Sequence, residues 1–520
     1  MLEFGSFSWE TASRSNGHCL VGGEIARIVL NMEEVRELVV TTGNSDSTSE
    51  LPIVVDLDDT LIVTDTLYEQ IATGLFTRPV GILRAFFSLS RGRAALKAHL
   101  AREIDLTHTT LPIREDLVEW LHHQVDCGRE IHLCSAAAQP VVDTIAARLG
   151  IFESATGSAE ANLKGKAKAA YLKQRFPEGF TYAGDSAADL AVWNAASGIV
   201  LAGVSPSVAK AARNLDKPIE AEFKNKQLSS KDLLKALRVH HWSKNVLIFL
   251  PLIFAHAWDD LSLIGHTFLA FICLLMVTSA TYLLNDLADL NADRQHWSKR
   301  NRALASGRMP IPIGFALAGT LLIVAFASAV VLAPAFAGAL ASYLVLTGSY
   351  SLGLKRVPLL DTLIIGILFT IRIIMGIVLI SQPSPAWLLT FSVFFFFSLA
   401  VTKRHTEIVR AGVTGETHSL ASRGYRVEDA PLTLTLGIAS AVASLVVLVL
   451  FIIEEMLPAS VYSHPQLLAG MPLVLSIWLG RIWLLAHRGH MNDDPVSFAL
   501  RDRISLALGG IVFALFLAAL

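Results

Sequence analysis

The stretch NDLADLNADRQHWSKRNRALASG, residues 285–307, directly follows an apolar run that is long enough to cross a membrane. Its acidic and amide residues are Asn285, Asp286, Asp289 and Asp293, and the basic residues that follow are Lys299, Arg300 and Arg302. On a helix that continues out of the apolar run, Asp286, Asp289 and Asp293 share one face, so their carboxylates converge and repel one another. A magnesium ion that bridges them to a diphosphate relieves this repulsion, because Mg²⁺ prefers oxygen ligands and substrate phosphates. The pattern predicts such a site, with the basic residues as phosphate ligands; the alternative is a solvated helix end with charged pairs.

The composition of the 520-residue chain is too apolar for an ordinary soluble protein, with 53% hydrophobic residues, 17% charged residues and a mean hydropathy of +0.51. The second half carries this apolar character. We predict nine membrane spans, near residues 243–257, 261–284, 311–331, 334–352, 359–381, 385–402, 431–453, 468–487 and 504–520. The formal net charge of −2 gives no global electrostatic support to a nucleic-acid partner. The four cysteines lack paired spacing, so neither a disulfide framework nor a zinc site is expected.

The basic residues of the second half are distributed unevenly between the loops. Lysine and arginine follow the even-numbered spans and are absent from the loops after the odd-numbered ones. By the positive-inside tendency, the first half of the chain and residues 285–307 face the cytoplasm, although some of these charges set topology only. We therefore predict a protein integral to the inner (cytoplasmic) membrane, with its active sites on the cytoplasmic side.

The chain divides into four parts. Residues 1–48 form an N-terminal extension and linker, with one short helix predicted in EIARIVLNMEEVRELVV. In residues 49–222, apolar strand-like runs alternate with helical stretches, which predicts an α/β domain with a parallel sheet. Residues 223–236 form a second linker, and residues 237–520 form an all-α membrane domain.

The sequence VVDLDDTL places Asp56 and Asp58 at the end of an apolar strand, where loops of a parallel sheet gather catalytic groups. Two such carboxylates can divide phosphoryl transfer between them, because one attacks phosphorus while the other protonates the leaving oxygen. A magnesium ion offsets the repulsion among the anions. Further candidates are Ser135 and Lys164 as ligands of a phosphoryl group, and Asp185 and Asp189 in AGDSAADL as carboxylates on the metal side. If Asp56 and Asp58 are considered without the other candidates, the alternative is a solvated acidic turn.

This ordered set resembles the haloacid dehalogenase (HAD) phosphatase superfamily over residues 51–222, which implies a Rossmann-like fold. The resemblance implies that Asp56 is a nucleophile that forms an aspartyl-phosphate and that Asp58 is the general acid and base. The other implied roles are phosphate holding by Ser135 and Lys164, with Lys166 and Lys168 as alternatives for the lysine, and Mg²⁺ binding by Asp56, the backbone carbonyl of Asp58 and Asp185, with Asp189 in support.

The segment RPVGILRAFFSLSRGRAALKAHL, residues 78–100, lies between the first two of these motifs. The HAD resemblance implies a helical cap that screens substrates. Arginine and lysine also punctuate phenylalanine, leucine and isoleucine at helical spacing, which is typical of a helix on a membrane surface. The sequence leaves both interpretations open.

The pattern NDxxDxxxD after a second span resembles the UbiA superfamily of intramembrane prenyltransferases, over residues 230–520. Further motifs resemble one branch, the polyprenyl-phosphate phosphoribosyltransferases such as the decaprenyl-phosphate enzyme. These motifs are HHWSKNVLIFLPL with Lys244, DxxHWSKRNRALASG from Asp293, YSLGLKRVPLLD with Tyr350, Lys355 and Asp361, FTIRIIMG with Arg372, and KRHTE with Lys403 and Arg404. The branch implies 5-phosphoribosyl diphosphate as donor and a polyprenyl phosphate as acceptor. We expect Mg²⁺ in both domains, held in this one by Asp286, Asp289 and Asp293 with Asn285 in support.

The second aspartate-rich motif of aromatic prenyltransferases, DxxxD, is missing around residues 350–361, where Asp361 stands alone beside Tyr350, Lys355 and Arg356. A site with more cationic and fewer carboxylate side chains suits substrates that carry several phosphates. Arg372 lies inside a span, where it either holds the acceptor phosphate or neutralises a buried carboxylate. Lys403 and Arg404 either bind substrate or pair with Glu407.

The resulting hypothesis is a bifunctional enzyme that transfers 5-phosphoribose to a polyprenyl phosphate and then removes the 5-phosphate. The first alternative is a UbiA-type aromatic prenyltransferase with an accessory phosphatase. The second is a lipid-binding or transport module with a regulatory HAD domain. A homo-oligomer is compatible with the sequence, which does not decide the oligomeric state.

Overall fold

The computed structural model describes residues 51–158, 163–380, 386–415, 420, 423–458, 461–491 and 495–520. The N-terminal extension, with its predicted helix, lies outside the described residues. We call residues 51–236 the N-terminal region and residues 239–520 the membrane region. The domain boundaries given above remain predictions.

The N-terminal region is built on a six-stranded sheet in which all paired strands are parallel. The strands are β1 (Ile53–Val55), β2 (Ile131–Ala138), β3 (Ser154–Ser158), β4 (Thr181–Gly184), β5 (Gly198–Ala202) and β6 (Ile219–Phe223). Their order is β3-β2-β1-β4-β5-β6. The predicted α/β fold with a parallel sheet is confirmed. The prediction missed β3 and β6, because these edge strands are only half-buried and lack the continuous apolar run of central strands.

Helices connect the strands and cover both faces of the sheet. They are α1 (Thr66–Thr77), α2 (Pro79–Phe87), α3 (Arg93–Glu103), α4 (Glu115–Asp126), α5 (Gln139–Leu149), α6 (Lys166–Arg175), α7 (Leu190–Ala195), α8 (Pro206–Arg213) and α9 (Ser230–Ala236). Helices α1 to α3 form a helical insertion between β1 and α4, which confirms the helical character predicted for residues 78–100. Apolar clusters on the two faces of the sheet form the core.

The membrane region is helical throughout its described elements. After a 3₁₀ segment at Val239–Phe249, its helices are α10 (Leu250–Phe254), α11 (Leu261–Ala288), α12 (Leu290–Gln295), α13 (Ile311–Leu332), α14 (Pro334–Leu352), α15 (Leu360–Ile380), α16 (Ala386–Thr414), α17 (Ala430–Phe451), α18 (Gly470–His487), α19 (Pro495–Ala499) and α20 (Arg503–Ala519). Together with the apolar composition, these helices make the chain an integral membrane protein.

Seven helical segments in the described part of the chain are long and apolar enough to span a membrane, whereas nine spans were predicted. The first predicted span, residues 243–257, is divided between the 3₁₀ segment and the five-residue α10. Pro251 lacks an N–H, so a continuous α-helix cannot pass through it with all its hydrogen bonds. The last predicted span corresponds to α20, which has only 17 residues.

The two regions pack against each other through α1. Ala72 is fully buried and, with the partly buried Phe76, belongs to the same apolar cluster as Leu283 and Leu287 in the last part of α11. Ile311, the first residue of α13, belongs to this cluster as well. Helix α1 therefore lies against the ends of two spanning helices, beside the stretch at residues 285–307.

Candidate functional site

Polar sites occur in both regions of the protein. The first lies in the N-terminal region, at the carboxyl ends of three adjacent strands. Asp56 directly follows β1, Ser135 lies in β2 and Asp185 directly follows β4. Because β1 pairs with both β2 and β4, the sheet brings these residues to one edge. Ser135 is fully buried, and its Oγ accepts a hydrogen bond from the backbone N–H of Ala137 at 3.1 Å.

The lysine of this site is Lys168. Its Nζ lies 2.8 Å from Oδ2 of Asp56 and donates to the hydroxyl of Tyr182 at 2.9 Å. Burial alone would lower the pKa of Lys168, but the nearby carboxylates of Asp56 and Asp189 outweigh it and raise the pKa. The structure thus places Lys168, one of the two alternatives, beside Asp56 in place of the predicted Lys164. Lys164 is exposed and precedes α6, whereas Lys168 lies on the buried face of that helix.

Three carboxylates of this site are close enough to share a cation. One oxygen each from Asp56, Asp185 and Asp189 lies within 4.8 Å of the others, and this is the one such acidic group found among the residues that the structure describes. Asp189 also accepts hydrogen bonds from the hydroxyls of Tyr182 and Ser186, at 3.0 and 2.8 Å. Burial, followed by the charges of Asp189 and Asp56, raises the pKa of Asp185 to about 8. A hard divalent cation would relieve this repulsion, so the donor set fits Mg²⁺.

Asp58 lies beside this group and is held by the start of α1. Its Oδ1 accepts a hydrogen bond from the backbone N–H of Thr66 at 2.8 Å. Burial, followed by the charge of Asp65, raises the pKa of Asp58 to about 7. Asp58 can therefore carry a proton near neutral pH, as a general acid requires.

The second site is the stretch at residues 285–307, where the helix does not continue as predicted. Helix α11 ends at Ala288, Asp289 has a non-helical backbone conformation, and α12 begins at Leu290. Asp286 and Asp293 are buried, whereas Asp289 is exposed. Only two of the three carboxylates predicted to share one face are therefore buried at this site.

Arginine side chains fill the space between the two buried carboxylates. NH1 of Arg302 lies 3.0 Å from Oδ1 of Asp286 and 2.5 Å from Oδ2 of Asp293. Arg238 adds a second guanidinium at 3.1 Å from Asp286, and Nζ of Lys299 lies 3.9 Å from Asp293. The observed arrangement is a carboxylate–guanidinium cluster. Asp286 and Asp293 offer oxygen ligands that suit Mg²⁺, but both are engaged by Arg302, which would have to release them to a cation.

A third polar group lies inside the membrane region around Arg372. This buried residue of α15 donates from Nε to Oδ1 of Asn245 at 2.8 Å and from NH2 to the hydroxyl of Tyr343 at 3.0 Å. Two cations lie near the ring of Phe369, whose centroid is 5.2 Å from the guanidinium carbon of Arg372 and 5.9 Å from Nζ of Lys244. Within the described residues, no carboxylate forms an ion pair with Arg372. The structure does not support the alternative in which Arg372 neutralises a buried carboxylate.

Asp361 and Arg404 form a separate buried network. Nε of Arg404 lies 2.6 Å from Oδ2 of Asp361, and the hydroxyl of Tyr425 donates to Oδ1 of Asp361 at 2.7 Å. Arg404 also pairs with Glu407. These partners join α15, α16 and the segment around Tyr425, and the role of Asp361 and Arg404 as substrate ligands stays a prediction.

The remaining predicted ligands lie nearer the surface. The hydroxyl of Tyr350 accepts a hydrogen bond from Arg423 at 2.6 Å. Arg300 is exposed, and Lys355 and Lys403 are half-buried. Asn285 is half-buried in the last turn of α11. The structure therefore does not gather all of the predicted phosphate ligands into one site.

Several interacting residues were not singled out from the sequence. Arg238 lies 48 positions before its partner Asp286, and Tyr182 joins Lys168 to Asp189 from within β4. No local pattern marks these residues. The sequence did contain a pattern that favours Lys168. Positions 168, 169 and 172 have the spacing of the inner face of a helix, and all three are buried.

The bundle of apolar helices, with a carboxylate–guanidinium cluster at one end, defines an integral membrane protein with a polar site at the membrane surface. The model of the UbiA prenyltransferase family matches residues 246–509, which is half of the chain. The chain belongs to the UbiA prenyltransferase family.

Three similar proteins illustrate how the resemblance is distributed along the chain. The uncharacterized protein y4nM of Sinorhizobium fredii is 43% identical over 91% of this chain and 91% of its own length. The nodulation protein NoeC of Azorhizobium caulinodans is 32% identical over 54% of this chain and 92% of its own length. Decaprenyl-phosphate phosphoribosyltransferase of Mycobacterium tuberculosis is 28% identical over 52% of this chain and 88% of its own length. The last two proteins thus match about half of this chain.

Proposed function

We propose that the membrane region transfers 5-phosphoribose from 5-phosphoribosyl diphosphate to a polyprenyl phosphate, and that the N-terminal region then removes the 5-phosphate. The observation that carries this proposal is Arg372, a buried guanidinium inside a spanning helix with neutral hydrogen-bond partners. Such a charge is costly in a membrane and is typical of a residue that serves a substrate. The phosphate of a membrane lipid is an anion of this kind. The similarity to decaprenyl-phosphate phosphoribosyltransferase supports the same substrates.

In the transferase step, an oxygen of the lipid phosphate attacks the anomeric carbon of the donor. The bond from this carbon to the diphosphate breaks, and the diphosphate leaves with the bonding electrons. Arg302 and Lys299 stabilise the leaving group, because a guanidinium that now holds Asp286 and Asp293 can donate the same N–H groups to phosphate. Asp286 and Asp293 would hold Mg²⁺, which when bound offsets the charge of the diphosphate.

The acceptor phosphate is held on the other side of the reacting carbon. Arg372 and Lys244, which both face the ring of Phe369, bind this phosphate at the level of the membrane. Holding both reactants in one site supplies orientation, and exclusion of water from the site prevents hydrolysis of the donor.

In the phosphatase step, we assign the N-terminal region to the HAD superfamily on the basis of its motifs. A carboxylate oxygen of Asp56 attacks phosphorus of the 5-phosphate, and the bond from phosphorus to the ribose oxygen breaks. Asp58 gives its proton to this leaving oxygen and then takes a proton from the water that releases inorganic phosphate from Asp56. Lys168 and Ser135 hold the phosphoryl group. Asp56 and Asp185, with Asp189 in support, would hold Mg²⁺, which when bound reduces the repulsion between the nucleophile and its anionic substrate.

We further propose that both sites face the cytoplasm. The support for this orientation is the distribution of lysine and arginine between the loops. The tether between the two regions keeps the phosphorylated lipid at a high effective concentration near the second site.

The test is mass spectrometry of the lipid products made by the purified chain from phosphoribosyl diphosphate and a polyprenyl phosphate. The intact chain is expected to yield polyprenyl-phosphoryl-ribose, and Asp56→Asn is expected to accumulate the same lipid with one additional phosphate. Asp126→Asn, at an exposed position of α4, is the matched control and should behave as the intact chain. Absence of ribose from the lipid fraction overturns the transferase assignment, and identical products from the intact chain and Asp56→Asn overturn the phosphatase assignment.

A second candidate is transfer of a prenyl group to an aromatic acceptor, which membership of the UbiA prenyltransferase family favours. The two candidates differ in what becomes attached to the lipid. If the second candidate is right, incubation with a prenyl diphosphate and a phenolic acid yields a prenylated ring. Incubation with phosphoribosyl diphosphate and a polyprenyl phosphate then yields no ribosylated lipid.

A further inference from the structure

Helix α2 exposes an apolar face that no other part of the described chain covers. Its inner residues Ile82 and Ala85 are buried in the core of the helical insertion. On the opposite side Val80, Leu83 and Phe87 are 60%, 61% and 74% exposed. Positions 80, 83 and 87 share one face of a helix, since they are spaced by three and four residues. The helix is therefore apolar on both sides, although only one side has a protein partner.

The exposed face continues beyond the helix. The other exposed large apolar residues of this insertion are Tyr68 and Leu75 in α1, Phe86 in α2 and Leu89 just after it. A contiguous apolar surface of this kind on a folded protein marks an interaction site for an apolar partner. The same surface exposes two cations, Arg78 at the start of the helix and Arg84 within it.

The position of α2 relative to the membrane region identifies this partner. Helix α1 packs against the ends of α11 and α13 through Ala72 and Phe76, and α2 begins two residues after α1 ends. The exposed face therefore lies at the level at which two spanning helices leave the bilayer. An apolar helix with peripheral arginines at this level is typical of a helix in the lipid interface, where its apolar side chains reach about 5–10 Å into the boundary of head groups and acyl chains.

We propose that α2 is an interfacial membrane helix that inserts Leu83, Phe86 and Phe87 into the lipid surface, with Arg84 among anionic head groups. Helices α1 to α3 follow β1 and its acidic residues directly. Insertion of α2 consequently holds the entrance of the Asp56 site against the bilayer. The site then faces lipid-borne phosphates rather than soluble metabolites, an inference that deepens the phosphatase reaction proposed above and rests on it.

The test measures the depth of α2 in the full chain, reconstituted in nanodiscs that contain an anionic lipid. A fluorophore is attached to Leu83→Cys in a background of Cys19→Ser and Cys127→Ser. Cys134 and Cys273 are buried and are left in place. Leu83 is mostly exposed, so its replacement leaves the core intact; Phe87→Cys provides a second position should the first variant fail to fold.

The matched control is native Cys127, labelled in a background of Cys19→Ser. Cys127 is exposed and precedes β2, at the edge of the sheet opposite to the acidic site. We expect quenching of the Leu83 label by nitroxide lipids and protection from aqueous iodide, with the reverse for Cys127. Replacement of the anionic lipid by a neutral one should reduce the quenching at Leu83 by lipid.

Two outcomes overturn the proposal. Iodide quenching of the Leu83 and Phe87 labels equal to that of Cys127 places the helix in water. Protection from both quenchers shows that protein, such as a second copy of this chain, covers the face. The measurement requires no catalytic activity, so its failure is distinguishable from failure of the proposed phosphatase reaction.

Discussion

Arg294 and Glu69 form a bidentate ion pair that joins the two regions of the protein, with NH2 2.7 Å from Oε1 and NH1 3.0 Å from Oε2. Only 4% of the Arg294 side chain and 1% of the Glu69 side chain are exposed. Nε of Arg294 also donates to the carbonyl of Ala305 at 3.0 Å, and NH1 donates to the carbonyl of Thr110. One guanidinium thus connects the middle of residues 285–307 to the end of that stretch and to the N-terminal region.

Because of this ion pair, we predict that a substitution of Glu69 in α1 affects the site at residues 285–307. Glu69→Gln leaves the buried charge of Arg294 without a counter-charge, and loss of one member of a buried pair costs about 3–5 kcal/mol. We expect a lower Tm in detergent, faster hydrogen exchange in residues 285–307 and reduced ribosyl transfer, although Glu69 lies outside the membrane region.

The control is Glu222→Gln, which breaks the exposed pair of Glu222 with Arg213. An exposed pair contributes about 0–1 kcal/mol, so this variant should keep both its Tm and its transferase activity. If Glu69→Gln matched Glu222→Gln in hydrogen exchange and activity, Arg294 would not position the acidic stretch.

The two lysines considered for the phosphatase site predict opposite results on mutation. Lys168→Met removes the cation 2.8 Å from Asp56, and loss of one preorganised electrostatic group costs about 10²–10³ in kcat. Lys164→Met changes an exposed side chain and should keep phosphate release within about twofold of the intact chain, a change of well under 1 kcal/mol. Phosphate release from the ribosylated lipid measures both variants, and strong loss in Lys164→Met alone would reverse the assignment.

Arg302 is predicted to be irreplaceable by lysine, because one guanidinium contacts both Asp286 and Asp293. A lysine ammonium keeps the charge but lacks the planar fork of donors. We expect Arg302→Lys to lower kcat for ribosyl transfer by about tenfold or more, which corresponds to about 1.4 kcal/mol. The control is Arg308→Lys, since Arg308 directly follows the stretch and forms an ion pair with a single carboxylate, Asp232, at 3.1 Å. Equal activity of the two variants contradicts the dual role of Arg302.

Arg372 and Arg404 are both buried arginines, but they predict different defects. Arg372→Gln removes a cation with neutral partners, so we expect a raised KM for the polyprenyl phosphate and an unchanged KM for the ribosyl donor. Arg404→Gln leaves Asp361 buried without its cation and should instead lower the Tm, by loss of about 3–5 kcal/mol. Steady-state kinetics with each substrate varied, together with unfolding in detergent, separates the two effects. A KM for lipid that does not change in Arg372→Gln removes the acceptor phosphate from this site.

Chelation tests the metal dependence of the phosphatase reaction. The carboxylates of Asp56, Asp185 and Asp189 already converge, so phosphate release should stop on addition of EDTA and return with Mg²⁺. Asp185→Asn should need more Mg²⁺ for half-maximal release, because it removes one anionic oxygen ligand. Release that is insensitive to EDTA in the intact chain argues against a metal at this site.

Local features were predictable because they depend on neighbouring residues in the sequence. The apolar runs of β1, β2, β4 and β5 indicated a parallel sheet, and most spanning helices begin or end within a few residues of their predicted bounds. Hydrophobic burial imposes these periodicities directly on the chain. The edge strands were missed because they are only half-buried and lack a continuous apolar run. The first span was predicted as continuous although Pro251 interrupts its helical hydrogen bonding.

The sequence by itself determined the UbiA membership, the parallel sheet of the N-terminal region and the acidic residues at 56, 185 and 189. Only the tertiary structure decided that Lys168 contacts Asp56, that Arg302 separates Asp286 from Asp293, and that Glu69 pairs with Arg294. Glu69 and Arg294 are 225 positions apart in the sequence. A charge–charge contact of this kind depends on how whole helices pack, and no spacing along the chain encodes it. Packing also placed α1 against the spanning helices and left the apolar face of α2 beside the membrane.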